Sequence, residues 1–502
     1  MVKRTSHAKV IAAIDISTLT VQCMIVDVRG RVLSSAKLAH RQHRPYPGWM
    51  EHDATDIWTK VTRVVTLALR RGGFSVKEIA AVGVTNQRET IVVWDTITGR
   101  PLAPAITWQD TRTTPIVNGL SSGTARSVED TTGLVPGVYF VAPRLRWLLD
   151  NIGGLQAAGE RGDAVFGTIE SWVIWNLTGG PDGGLHITDV TNASRTLLMD
   201  IHHLRWHPKM FREFDIPIEM APQIVANSGH LGSCTKVLPG VPITAAIGDQ
   251  QAALFGHACF SAGDAKCTFD SGAFFLVNTG GSIAPKSGTL LPTVGWVLGG
   301  HDPVYALEGP IASAGSLIEW LRTSLGLVDH VAEIETLAQQ VDSNGGCYIV
   351  PAFSGLFAPH WDDQARGTIV GLTEYVTKNH LARAALESTA WQTGDVVAEA
   401  RRCGITIDGL AVNGAMTANH LAMQILANTL GITISRAYFQ EASAVGVAYM
   451  AGLAVGYWRS LDEIAAIPRI AGQWHPETTP TRRNREFNEW RAAIARARTE
   501  SE

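Results

Sequence analysis

Twice in this chain an apolar run that reads as a buried strand ends in a carboxylate. Val10-Ile11-Ala12-Ala13-Ile14 runs into Asp15, and Pro242-Ile243-Thr244-Ala245-Ala246-Ile247 runs into Gly248-Asp249. After Gly256 the pattern restarts: Asp264-Ala265-Lys266-Cys267-Thr268-Phe269 leads into Asp270-Ser271-Gly272. A chain of 502 residues exceeds one comfortable hydrophobic core, so two large domains are expected. The restart places their boundary near residue 257, giving domains 1–257 and 258–502.

The segments between these runs alternate in period. Val21 to Asp27 and Arg31-Val32-Leu33, joined through Arg29-Gly30, extend the first strand into a hairpin-rich start. Ile57, Val61, Val64, Val65 and Leu67 recur at helical spacing within 54–71. Strands follow at 79–84, 91–94 and 105–108. Further on, helices are expected around 317–321, at 379–401 and from about 418, with a strand at 409–412. The basic tail 482–498 reads as an amphipathic surface helix. The rhythm fits two α/β halves with mixed sheets and a central cleft.

Composition excludes several function classes. A hydrophobic fraction of 45%, a charged fraction of 18% and a formal net charge of −4 describe an ordinary globular protein, with no field to attract nucleic acid or a membrane surface. No apolar stretch reaches the length of a membrane span. Cys23, Cys234, Cys259, Cys267, Cys347 and Cys403 are scattered without metal spacing and read as reduced thiols of a cytoplasmic protein. The start, Met1 to Lys9, is charged and lacks the apolar core of a secretory signal.

Val84-Thr85-Asn86-Gln87-Arg88-Glu89-Thr90 places adjacent opposite charges at the end of a strand. A guanidinium fork beside a carboxylate suits a ligand with several hydroxyls, since each hydroxyl both donates and accepts. Asp249 would be a second carboxylate able to take a proton from such a hydroxyl. Taken alone, the same residues also describe an exposed strand-end ion pair.

Longer stretches resolve the choice. The segments 47–53 (PGWMEHD), 85–90 (TNQRET), 188–196 (TDVTNASRT), 248–256 (GDQQAALFG), 305–309 (YALEG), 350–356 (VPAFSGL) and 451–456 (AGLAVG) occur in this order. Together they resemble glycerol kinases, within the FGGY carbohydrate kinases of the actin-like (ribonuclease H-like) ATPase fold. The resemblance implies an ATP- and Mg²⁺-dependent transfer of phosphate to glycerol, giving sn-glycerol 3-phosphate. It also implies roles for matching positions. Arg88 and Glu89 bind the glycerol hydroxyls, Asp249 is the general base with Gln250 beside it, and Trp108, Tyr139 and Phe274 flank the substrate. Asp15 stands on the metal side. Thr18, Ser271, Gly309, Gly414, Ala415 and Asn419 fall on the nucleotide side. Dimers or tetramers occur among relatives, and the sequence leaves the assembly open.

Three glycine-containing turns that handle phosphate in the family are altered. The family's Asp-Gln-Gly-Thr-Thr-Ser-x-Arg is Asp15-Ile16-Ser17-Thr18-Leu19-Thr20-Val21-Gln22, which loses a glycine and an arginine. Gly-Thr-Gly has become Asp270-Ser271-Gly272, putting a negative charge where phosphates are expected. Asp-Gly-Gly has become Asn413-Gly414-Ala415, which costs roughly 1–2 kcal/mol if position 415 needs positive φ. Two alternatives follow: a catalytically silenced relative that binds glycerol or a similar polyol as a sensor or partner protein, and a kinase for another polyol. The loop Ser233 to Gly240 lacks the Gly-rich, Arg-containing form associated with sugar-bisphosphate control in relatives.

Overall fold

The computed structural model describes residues 9–285 and 289–498. The N-terminal stretch read above for a signal therefore lies outside the described residues, except for Lys9. The chain forms two compact units, and the division is not a single cut. One unit comprises Met1–Ala258, Thr293–Tyr305 and Ala442–Ile467; the other comprises Cys259–Pro292, Ala306–Glu441 and Pro468–Glu502.

The first unit is built on a six-stranded sheet in the order Ser228–Ser233, Pro242–Gly248, Ile79–Asn86, Val10–Ile16, Thr20–Val26, Val32–Ala39. Its three central strands are mutually parallel, and antiparallel strands close both edges. Ile16, Asn86 and Gly248 lie side by side in register, so the segments that follow Asn86 and Gly248 leave the same end of the sheet. That is the end at which open α/β sheets bind ligands. Helix Ala54–Gly72 covers one face with Ile57, Val61, Val64, Val65 and Ala68. Asp53 starts it by accepting the Thr55 and Asp56 amides, and Gly73, at φ 67°, ends it.

Helix Ala442–Ala454 packs on this unit even though it lies far downstream in the chain. Glycines permit the approach. A Cβ at Gly83 would stand 2.7 Å from Val447, and one at Gly446 would collide with the Ala252 carbonyl oxygen of helix Asp249–Gly256.

In the second unit the same pattern recurs. Ala265–Phe269 pairs antiparallel with Ala273–Gly280 and parallel with Gly409–Asn413, which pairs parallel with Thr433–Ala437. Its own core gathers Phe269, Phe275, Leu307, Leu386, Val412 and Leu426. The basic tail forms helix Pro480–Ala497, with Trp490, Ala493, Ile494 and Ala497 buried against this unit. The strand expected at 105–108 is only Ala105–Ile106, because Trp108 turns out of the sheet to be held by side chains.

Gly446→Ala is expected to destabilise the protein by about 3 kcal/mol through overpacking between two helices. Gly153→Ala, with nothing within 4 Å of the added methyl, should stay within about 0.5 kcal/mol. Denaturant unfolding of both variants checks the difference.

Candidate active site

In the first unit the strand ends carry most of the expected polyol residues. Arg88 is buried; its Nε lies 3.3 Å from Asp249 Oδ1, and its Nη1 donates to Gln251 Oε1 at 3.3 Å. Asp249 opens helix Asp249–Gly256 and keeps a quarter of its side chain accessible (25%). Gln250, half-buried, donates its backbone N–H to Asp249 Oδ1 at 2.7 Å. Gln251, which the sequence reading did not single out, is the buried member of the pair. It also donates to Thr293 Oγ1 and the Val294 carbonyl.

Glu89 has φ 60°, a left-handed conformation rarely adopted by a residue with a side chain. Such strain costs on the order of 1 kcal/mol and persists only where the surroundings hold it. Arg195 Nε donates to Glu89 Oε1 at 2.7 Å, and Arg144 Nη1 donates to the Glu89 carbonyl at 3.0 Å.

Arg144 ties the site together. From a fully buried position it donates to the carbonyls of Glu89, Trp108 (2.7 Å), Val138 (2.6 Å) and Tyr139 (2.9 Å). Burial pushes its guanidinium down to about 10, so it stays charged at neutral pH. Trp108 and Tyr139 meet edge to face at 5.8 Å, and Trp108 Nε1 donates to Thr18 Oγ1 at 2.9 Å. The sequence signal for Arg144 is a lone charge in the apolar run Val141-Ala142-Pro143-Arg144-Leu145 that opens helix Val141–Asn151.

Behind these residues lies the segment 188–196. Asp189 accepts from the Thr191 and Asn192 backbones and from the side chains of Thr191, Asn192 and Asn227. Asn192 and Asn86 exchange amide hydrogen bonds, and Thr191 Oγ1 accepts the Gly248 N–H at 2.9 Å. Glu170 is buried nearby and accepts from the hydroxyls of Thr168, Ser171 and Thr188. Burial, and then the charge of Asp189, push Glu170 up to about 7; burial also raises Asp189. The N–H donors converge on Asp189, which favours its charged form over that of Glu170.

Asp15 is buried and accepts from Ser443 Oγ at 2.7 Å. Its register neighbours are Gln22 and Thr85. Thr85 Oγ1 is buried and has no partner among the described residues, which suits a position offering oxygen donors to a hydrated cation. Among those residues no group of three or more His, Cys, Asp or Glu could hold a metal. The turn after Asp15 closes through its new hydroxyl: Thr20 N donates to Ser17 Oγ at 3.2 Å, and Ser17 Oγ bonds back to the Thr20 carbonyl at 3.1 Å.

The remaining candidates lie in the second unit. Gly414 has φ 100°, and a Cβ there would strike the Phe269 carbonyl. Ala415 begins the short helical turn Ala415–Ala418, so the left-handed position is 414 and the alanine is unstrained. A Cβ at Gly272 would lie 2.6 Å from the Ile311 carbonyl. Asp270 Oδ1 accepts the Ala415 N–H at 3.0 Å, bridging the two turns. The Ser271 carbonyl takes the Ala314 and Ser316 amides. Gly309 lets Val396 pack against its strand, Asn419 caps helix His420–Leu430 through the Ala422 N–H, and Phe274 lies in register with Thr268. Gly272 and Gly414 thus let the turns approach the Ile311 and Phe269 backbones closely, and Asp270 adds a carboxylate between the turns.

Two α/β units of this build define a carbohydrate-kinase architecture, as the comparisons with known proteins show. Residues 10–256 match the N-terminal domain, and 265–455 the C-terminal domain, of the FGGY family of carbohydrate kinases. The chain belongs to this family. It is 48% identical over 492 residues to "Glycerol kinase 2" of Streptomyces avermitilis, covering 97% of each chain. It is also 48% identical to a glycerol kinase of Saccharopolyspora erythraea, covering 97% of this chain and 99% of that one. A solved Plasmodium falciparum glycerol kinase with ADP superposes at TM-score 0.92 and 35% identity, covering 99% of this chain and 100% of that one.

Two predictions follow from this geometry. Arg144→Met should cost about 3 kcal/mol in denaturant unfolding, since the carbonyls it holds lose their partner. It should also weaken polyol binding at least tenfold under conditions where the variant remains folded. In Glu170→Gln the buried acid becomes a neutral amide. Unfolded Glu170 loses its proton near pH ~4.3, whereas the folded state keeps it to about 7, so wild-type stability falls as pH rises between these values. The variant's advantage in Tm should therefore be small at pH 5 and, at pH 8, correspond to on the order of 3 kcal/mol. An equal difference at both pH values would exclude Glu170 as the titrating group.

Proposed function

We propose that this chain is an ATP-dependent kinase acting on a terminal hydroxyl of glycerol and releasing sn-glycerol 3-phosphate and ADP. The observation that carries the substrate reading is the buried Arg88 held against the accessible carboxylate of Asp249, beside the strained Glu89. Arg88 and Glu89 orient two hydroxyls by donating and accepting, and the faces of Trp108 and Tyr139 cover the CH groups. Asp249 takes the proton of the attacking hydroxyl as its oxygen bonds to the γ-phosphorus and the bond to the β-phosphate oxygen breaks. Gln250 completes the acceptor side within the first unit.

Asp15 would hold Mg²⁺ through water, supported by the Ser443 hydroxyl. The ion supplies charge neutralisation on the transferring phosphate. Thr18, Ser271, Gly309, Gly414, Ala415 and Asn419 belong to the nucleotide side, with Gly272 and Gly414 allowing the close backbone packing that shapes those turns. We place the enzyme in the cytoplasm, where its free cysteines stay reduced. Five of these are buried.

Purified protein with ATP, Mg²⁺ and glycerol should form ADP in a glycerol-dependent way. Asp249→Asn should lower turnover roughly 10²- to 10⁴-fold with glycerol affinity within about tenfold of wild type. Unchanged turnover would remove Asp249 as the base. Calorimetric glycerol binding without any turnover in the wild type would instead identify a polyol sensor, the reading favoured by the Asp270 substitution. A polyol panel tests for a different acceptor.

A further inference from the structure

We infer that Thr18, on the turn assigned above to the nucleotide side, is a positioning residue for the acceptor pocket: its hydroxyl sets the angle of the Trp108 ring. This rests on the polyol reading of the first unit given above and adds a residue to it. Trp108 is held at three points. Its backbone N–H donates to Thr90 Oγ1 at 3.3 Å, its carbonyl accepts Arg144 Nη2 at 2.7 Å, and its indole Nε1 donates to Thr18 Oγ1 at 2.9 Å. The first two bonds fix the backbone from which the ring projects and leave its side-chain torsions open. An indole has a single N–H, so the bond to Thr18 sets the direction of that edge of the ring. Tyr139 then meets the ring edge to face, at 82°.

Thr18 can act as an anchor because the backbone around it is itself held. Successive carbonyls each accept a hydrogen bond: Ile16 from the Gln87 N–H at 2.7 Å, Ser17 from His40 Nε2 at 2.9 Å, Thr18 from Gln42 Nε2 at 3.2 Å, and Leu19 from the His40 N–H at 3.0 Å. The Ser17 hydroxyl closes the same turn from within. Gln87 precedes Arg88, so the segment that presents Arg88 also fixes the turn that carries Thr18. A hydroxyl on so constrained a backbone gives up little further freedom in taking the indole N–H. Without that bond the Trp108 ring keeps its place but not its angle, and ordering it becomes part of the cost of binding a polyol.

The test is calorimetric titration of the full chain with glycerol in the absence of nucleotide, and separately with ADP and Mg²⁺. The proteins are wild type, Thr18→Val, Thr18→Ser, Trp108→Phe and the Thr18→Val, Trp108→Phe double variant, with thermal melts to establish that each is folded. Thr18→Val keeps the branched shape and removes only the acceptor. It should weaken glycerol binding roughly five- to tenfold, the worth of one hydrogen bond, and leave ADP affinity within about threefold. Thr18→Ser should keep glycerol affinity within about twofold of wild type. Trp108→Phe removes the same bond from its other end and should weaken glycerol binding at least as much as Thr18→Val does. Adding Thr18→Val to it should then change glycerol affinity less than about twofold. Unchanged glycerol affinity in Thr18→Val, an equal loss in Thr18→Ser, or additive losses in the double variant would overturn the inference while leaving the polyol site standing. Failure of wild type to bind glycerol would overturn the polyol reading itself, and this inference with it.

Discussion

Asp189 is the fixed point of the first unit's strand ends. A buried carboxylate is tolerable only where N–H and O–H groups replace its water, and here Thr191, Asn192 and Asn227 do so. The same residues then reach outward. Asn192 clasps Asn86 at the end of one parallel strand, and Thr191 takes the amide of Gly248 at the end of the next. Arg88, Glu89 and Asp249 follow directly from those two strand ends. The spacing of Arg88, Glu89 and Asp249 is thus set by a buried polar network, in which burial and the charge of Asp189 push Glu170 towards its neutral form.

Arg144 works from the other side. Backbone carbonyls do not hold loops in place unless a donor gathers them, and one guanidinium gathers those of Glu89, Trp108, Val138 and Tyr139. This explains how Glu89 can remain at φ 60°. The strained backbone aims the carboxylate, Arg195 fixes its tip, and Arg144 secures the peptide behind it. Preorganisation of this kind moves the cost of ordering a ligand-facing group from binding to folding.

Much of this was legible in the sequence because it depends on period and punctuation. The hairpin start, the helix with Ile57, Val61, Val64 and Val65 on its core face, and the restart after Gly256 all follow from local pattern. Arg88, Glu89 and Asp249 stood out as charges at strand ends. What pattern could not show was pairing across long separations. Ser443 reaches Asp15 across 428 positions, and Asn192 meets Asn86 across 106. Nor does local pattern place helix Ala442–Ala454 on the first unit, since its small residues record only that some close neighbour exists.

The altered phosphate turns show why substitutions must be judged by geometry. Counted from sequence they are three losses to one ligand; in the structure they are three different events. Ser17 supplies a hydroxyl that closes its own turn, so the missing glycine costs no left-handed residue there. Ala415 is helical, and the conformational demand falls on Gly414, which is retained. Only Asp270 adds a charge, and it has bound to the amide of the neighbouring turn. Gly272 and Gly414 hold the close backbone approaches of the second unit's turns, while Asp270 places a charge at one edge of them.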